Sequence, residues 1–345
     1  AGKVIVRKIY HKTGFITDAD VIGDYTLIHT FADDTAYADT VATFEGFEDG
    51  ATYGVPPFTL LQTWEEVAAA PAFTGLLNET YGSGAEAAYS TRRLNGNVTD
   101  CMVIRRASDS TTTTIGFDGS GNISEADIIS FCTGTTCTVY QWLDQSGNGN
   151  TATAPSTGAE PTIYTGGAIV KDEGKVAIDF NAAYSALKYT GQDLNLSAVT
   201  ALVVQRIDTV TSVQGYPIGL QNTNNDGLRM MLRNYGFRNR TTGTNLDVSF
   251  PQELYFTRNL ADIASSSSAL KATFNGAVTA TASGKTFSTN GLDLAIGGSS
   301  FDTTKHHGSM QEAIIFGVDK YTSGDIDSIR ENVGDYFTQN TPLLD

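Results

Sequence analysis

The stretch YQWLDQSGNGNT (140–151) puts an indole, a carboxylate and several amides within reach of one another. Trp142 has the flat apolar face that stacks beneath a sugar ring, and Asp144 and Asn148 carry the oxygens and amide that hydrogen-bond its hydroxyls. The alternation of Asp144, Ser146, Asn148 and Asn150 also resembles the oxygen spacing of a calcium loop. A simpler structure accounts for the same residues: Asp144 and Asn148 bond backbone amides, the glycines supply positive φ, and Trp142 packs.

A second locus is LRMMLRNYGFRNR, where Arg229, Arg233, Arg238 and Arg240 are interleaved with Tyr235 and Phe237. Guanidinium groups among aromatic rings suit acidic sugars or an acidic neighbouring subunit. The alternative is a pair of strands with solvated outer faces. The carbohydrate-binding candidates are therefore Trp142, Asp144, Asn148, Arg233 and Tyr235. Other motifs lead away from chemistry. GFDGSGNISEAD mimics a calcium loop, but Gly116 would occupy the first ligand position and no glutamate closes the loop, so a turn into a capped helix is expected. His306 and His307 are adjacent and would point to opposite faces of a strand, which excludes joint metal ligation and leaves a polar loop. Neither a GxSxG elbow, nor a CxxC pair, nor a glycine-rich loop with its phosphate-binding lysine is present. No metal and no cofactor are expected.

The elements that must position these residues are mostly strands. Hydrophobic residues make up 40% of the 345, charged residues only 17%, and Gly, Thr, Ser and Asn fill much of the rest. CMVIRRAS, KVAIDF (with Val176, Ile178 and Phe180 alternating), TALVVQRI, LDLAIGGS and MQEAIIFG read as strands separated by turn signals. TALVVQRI is continuous enough for a central, doubly buried strand. SEADIISFC reads as a short helix capped by Ser124, and Ile326, Ile329, Val333 and Phe337 predict a closing amphipathic helix.

Charge divides the chain. Residues 1–88 hold 4 Lys/Arg and 13 Asp/Glu, a net of −9, out of −16 for the whole. This marks an N-terminal module, expected at 1–84, with strands at KVIVRKIYHKTGF and DYTLIHTF and a short helix at TWEEVAAAP from Thr63 and Glu66 to Pro71. So acidic a protein repels phosphate backbones and anionic membrane surfaces, which argues against nucleic-acid partners and membrane insertion. Three cysteines, Cys101, Cys132 and Cys137, read as free thiols ahead of a small loop closed by Cys132 and Cys137.

AYSTRRLNG, VIRRASD, IGFDGSGNI, WLDQSGNGN and the late IGGS together resemble the catalytic-type domain of arabinofuranosidase B, a domain also found in bacteriophage virion proteins. The resemblance spans about 85–345. It implies an all-β (mainly) fold, a concanavalin A/laminin G-like jelly-roll sandwich with a short C-terminal helix, preceded by a small N-terminal α+β or β module. In that family a catalytic carboxyl follows the IGG turn. Here Ser299 stands there, and the nearest match to the nucleophile region, YPIGLQNTNNDG, offers Gln221 or an asparagine, with Asp226 in looser register. Glu312 is a further carboxylate, expected to face outward from a core strand. A retaining hydrolase needs two carboxyls about 5 Å apart, so no catalytic residue is assigned.

The resemblance implies a virion surface structural protein, attached to capsid or tail through residues 1–84 and bound there to other virion proteins. It would display a jelly roll with a possible glycan partner, as a homo-oligomer, trimeric by analogy. The alternatives are a secreted glycoside hydrolase acting on arabinofuranosides and a secreted bacterial lectin.

Overall fold

The computed structural model divides into two compact units, Ala1–Ala72 and Phe73–Asp345. It describes the backbone of residues 3–13, 26–31, 52–53 and 58–68, and of 73–337 except 182–184, 195, 197, 209–214, 223–226, 234–235, 242–243, 250–257, 266–268, 275–276, 284–290 and 299–305.

In the first unit four strands form an antiparallel sheet. Lys3–Thr13 lies between Thr26–Phe31 and Phe58–Ala68, and Thr52–Tyr53 completes the far edge. The helix expected from Thr63 to Pro71 is not formed: Thr63 and Glu66 lie in the strand Phe58–Ala68, which pairs along its whole length with Lys3–Thr13. Eleven cross-strand partners outweigh a local capping signal.

The second unit is a curled antiparallel sheet that folds into two layers, the jelly-roll architecture expected. Residues 73–84 belong to it, with Leu76 in its core and the Leu77 amide donating to the Leu94 carbonyl. One layer is built on VTALVVQRI (Val199–Ile207), nearly all of it buried, as expected of a central strand. It pairs with Gly308–Phe316, buried throughout, on one side and with Arg258–Ser265 on the other. Ala85–Ser90 extends this layer beyond Gly308–Phe316. The second layer runs from Thr112–Gly116 through Asp100–Arg106, Cys137–Trp142, Ala152–Thr153, Leu187–Leu194 and Leu292–Ile296 to Gly215–Gln221 and Gly227–Arg233. The short strands Thr162–Thr165 and Ile178–Asp179 join the layers at one end.

Between the layers, alternate residues interdigitate: Ile104, Val139, Trp142, Leu220 and Leu294 face Val203, Ile263 and Ala313. A second cluster lies under the helix Ile326–Phe337. Its Ile326, Ile329, Val333 and Phe337 cover Leu202, Val204, Ile314 and Phe316, so the helical stripe legible in the sequence is the stripe that is buried. The helix Glu125–Cys132 starts at Ser124, whose hydroxyl accepts from the Asp127 amide. Its end corrects the cysteine expectation. Gly134, at φ 82°, turns the chain so that Cys132 and Cys137 come within 5.8 Å (Cα–Cα) and form a disulfide, while Cys101 remains a buried free thiol.

Candidate functional site

The WLDQSGNGN segment is a structural knot. Trp142 ends the strand Cys137–Trp142 with no exposed surface, its ring 5.9 Å from that of Tyr89. It sits between the layers and cannot lie under a sugar. Asp144 is spent on backbone: Oδ1 accepts the Ala88 and Ser146 amides, and Oδ2 accepts the Asn150 amide and the Ser146 hydroxyl, all within 2.9 Å. Asn148 donates to the Ala85 and Glu86 carbonyls. The buried Gln145 accepts from the Leu94 amide and donates to the Ser90 and Arg92 carbonyls. The loop therefore clamps the strand Ala85–Ser90, which corrects the carbohydrate roles expected for Trp142, Asp144 and Asn148. It also joins AYSTRRLNG to WLDQSGNGN in the fold.

Glu312 is likewise not an outward-facing carboxylate. It is buried, accepts from the Ser90 hydroxyl at 2.7 Å, and takes both arms of Arg92, at 2.7 and 3.1 Å. His306, expected in a polar loop, is wholly buried with its ring edge-on to Phe180 at 6.3 Å. Burial is the main force holding its pKa down, to about 4. The backbone of Arg206 and of Ser309 approaches the ring without closing a well-formed hydrogen bond.

What the structure does assemble lies on the face of the second layer away from the core. Ile218 and Leu220 point into the core with Leu294 and Ile296, so Gly219 and Gln221 occupy the opposite face. Across the ladder Gln221 stands opposite Asp293, and Gly219 opposite Ala295. Ala295 is in turn opposite Lys188, Lys188 opposite Thr153, and Thr153 opposite Gln141. Opposed residues share a face, so amide, carboxylate, ammonium and hydroxyl groups stand side by side on it, Gln221 and Asp293 buried and Lys188 and Thr153 half-buried. Gly219 is the gap at its centre. A methyl added there would lie 3.3 Å from the Gln221 side-chain oxygen and 3.5 Å from the Gly298 carbonyl. The Gln221 amide and the turn that leads into Ser299 thus meet over a bare patch of backbone. Ser299 itself and Asp226 lie outside the described residues.

The turn is rigidly held. Gly297, at φ 75°, has no room for a side chain because a Cβ would fall 2.1 Å from the Phe180 ring. Its amide donates to the Pro217 carbonyl, and its carbonyl accepts from the His306 amide. On the far side, backbone register continues the same face to Arg229 and Arg240. Positions 233 and 238 fall on that face by alternation along their strands. The side chain of Arg233, and Tyr235 altogether, lie outside the described residues. Gly219, Lys188 and Asp293 were missed in the sequence. The available signal was period-two alternation in YPIGLQ and LDLAIGG, which sets small and polar residues against Ile and Leu. Among the described residues no group of His, Cys, Asp and Glu is arranged to hold a metal ion, and no helix is long and apolar enough to cross a membrane.

A family model described as "Alpha-L-arabinofuranosidase B, catalytic" matches residues 78–204. No curated protein matches the chain. Among solved structures, a GH54 α-L-arabinofuranosidase soaked with a cyclic sulfate inhibitor superposes with a TM-score of 0.54 at 18% identity, over 72% of this chain and 62% of that one. An arabinofuranosidase complexed with arabinofuranosyl-α-1,2-xylobiose gives 0.53 at 18% over the same shares. A glutamate-to-glutamine mutant of a GH54 α-L-arabinofuranosidase soaked with 4-nitrophenyl α-L-arabinofuranoside gives 0.54 at 18%, again over those shares. The chain therefore spans about 62% of the length of these enzymes and shares their fold. The matches favour the carbohydrate-active alternative over the virion surface role expected above.

Proposed function

We propose that the second unit is an arabinofuranosidase-type jelly roll that binds an arabinofuranose-bearing saccharide on the Gln221 face without hydrolysing it. One observation carries this reading: the Gln221 amide and the Gly298 turn converge over Gly219, where the resemblance expects the two catalytic carboxyls. A carboxamide is neutral at every working pH and is a poor nucleophile, yet it donates to and accepts from sugar hydroxyls. A serine at 299 is far too weak an acid to protonate a leaving group. Without both carboxyls the double displacement of a retaining enzyme has neither its nucleophile nor its acid. What remains is recognition.

A specific observation keeps hydrolysis as the second reading: the buried Asp293 stands directly across from Gln221, one carboxylate on the right face. The Cys132–Cys137 disulfide suits an oxidising location outside the cytosol, as expected for a secreted protein. Calorimetric titration of the full chain with 4-nitrophenyl α-L-arabinofuranoside should show saturable binding, weakened about tenfold or more by Gln221→Leu, a loss of hydrogen bonds worth about 1.4 kcal/mol. Unchanged affinity in that variant, with its fold intact by circular dichroism, would remove Gln221 from the site.

A further inference from the structure

A cleft of about 590 Å³ opens on another part of the second unit, between the Asp118–Ala126 segment, the hairpin at 172–175 and the end of the helix Ile326–Phe337. Its size is in the range of small-molecule sites. Its residues are none of those on the Gln221 face.

Two of its groups lack the partners that buried or charged groups ordinarily find. Thr91, which lines the cleft, is 2% exposed, and its hydroxyl has no hydrogen-bond partner. Lys175 rests its ammonium 4.0 Å from the centre of the Tyr336 ring; Asp118 and Glu125 act on it through space, but among the described residues it closes no ion pair or hydrogen bond. Leaving such groups without hydrogen-bond partners costs stability, and both belong to the cleft's lining, Lys175 at its surface and the Thr91 hydroxyl buried just beneath it, which points to an external partner.

The lining also decides the partner's chemistry. Asp118, which accepts from the Ser120 and Asn122 amides, Glu125, which pairs with Lys171, and Glu173 line the same cleft as Lys175, which gives the lining a formal charge of −2 and disfavours phosphates, carboxylates and other anions. A cationic ligand would meet the carboxylates but would offer Lys175 no lone pair. A ligand built of hydroxyls does both, donating to carboxylates and accepting from the ammonium and the threonine. Val176, Ile123 and Phe337 supply apolar surface beside these polar groups, as the C–H face of a pyranose or furanose ring requires. The hairpin turn presents this edge: Glu173 and Gly174 both have positive φ (48° and 78°), the two-residue turn in which glutamate is an unusual choice.

We propose that this cleft is a second saccharide site, specific for a neutral mono- or disaccharide held by Lys175 and Thr91. It does not depend on the reading of the Gln221 face. For so small a ligand the dissociation constant is expected on the order of 1 mM.

The test is an amide NMR titration of the full chain with L-arabinose, D-xylose and D-galactose in turn, each to about 100 mM. At least one sugar should give saturable shifts at amides of 118–126 and 173–176. Lys175→Met should weaken that binding about tenfold, and Thr91→Val should weaken it several-fold. The valine is isosteric and removes a hydroxyl that the fold leaves unpaired, so it keeps the test valid if the lysine variant folds poorly. Gln221→Leu should leave these shifts unchanged, which separates this site from the other. The proposal is overturned if none of the three sugars produces saturable shifts at those amides, or if both cleft variants bind as the wild type does.

Discussion

At the scale of single residues, the side chains most suggestive of chemistry in the sequence are the ones the fold consumes. Trp142, Asp144 and Asn148 are packing and clamping groups. The residues proposed to meet a ligand, Gln221 and Lys188, carry no motif. His306 shows the same inversion, a wholly buried imidazole in a stretch that reads as a polar loop. Its folded pKa of about 4 lies below the ordinary 6.5, so below pH 6.5 the unfolded chain takes up a proton that the folded chain refuses. Stability from this group is complete above pH 6.5 and is lost as pH falls toward 4. Urea unfolding at pH 7.5 and pH 4.5 should give a His306-dependent difference of about 2.5 kcal/mol, absent in His306→Leu. An equal pH dependence in the variant would show that the imidazole is not held neutral.

At the scale of elements, strands and helices of the second unit were legible because their apolar periods were clear. Ile326, Ile329, Val333 and Phe337 fall at helical spacing, and the helix buries those four. VTALVVQRI is a nearly continuous apolar run and MQEAIIF ends in one, and both became interior strands. The first unit was harder. Thr63, Glu66 and Pro71 gave a local helix signal, yet pairing with Lys3–Thr13 made the segment a strand, a non-local effect that no window reveals. The disulfide was missed for a related reason, since it depends on where a helix end and a strand start meet.

The pair Arg92–Glu312 was also illegible, because 220 residues separate two groups that fold into one bidentate bond. Arg92 further donates to the Asn332 side chain at 2.8 Å, so it ties Gly308–Phe316 to the covering helix. Arg92→Met would leave Glu312 buried and unpaired, and should lower unfolding free energy by about 3–5 kcal/mol. Adding Glu312→Gln should recover more than half of that loss in the same denaturation assay. No recovery would mean that packing of the guanidinium, rather than charge pairing, holds the elements together.

At the scale of the whole molecule, the second layer of the curled sheet has a face turned away from the main core, and Gln221 and the Gly298 turn come together on it. On the proposed reading fold and chemistry part company there: the fold is shared with arabinofuranosidases, while the sequence has Gln221 and Ser299 where the resemblance expects carboxyls. The acid-rich N-terminal unit is a compact unit with its own four-stranded sheet.

The central claim is recognition without turnover, and one sample tests it. Wild-type protein is mixed with 4-nitrophenyl α-L-arabinofuranoside, binding is followed by calorimetry, and free 4-nitrophenol is read in the same solution over a day. Saturable heat with no nitrophenol above the protein-free control is the expected result. Steady release of nitrophenol that scales with protein concentration and disappears in Asp293→Asn would contradict it and establish a hydrolase built on Asp293.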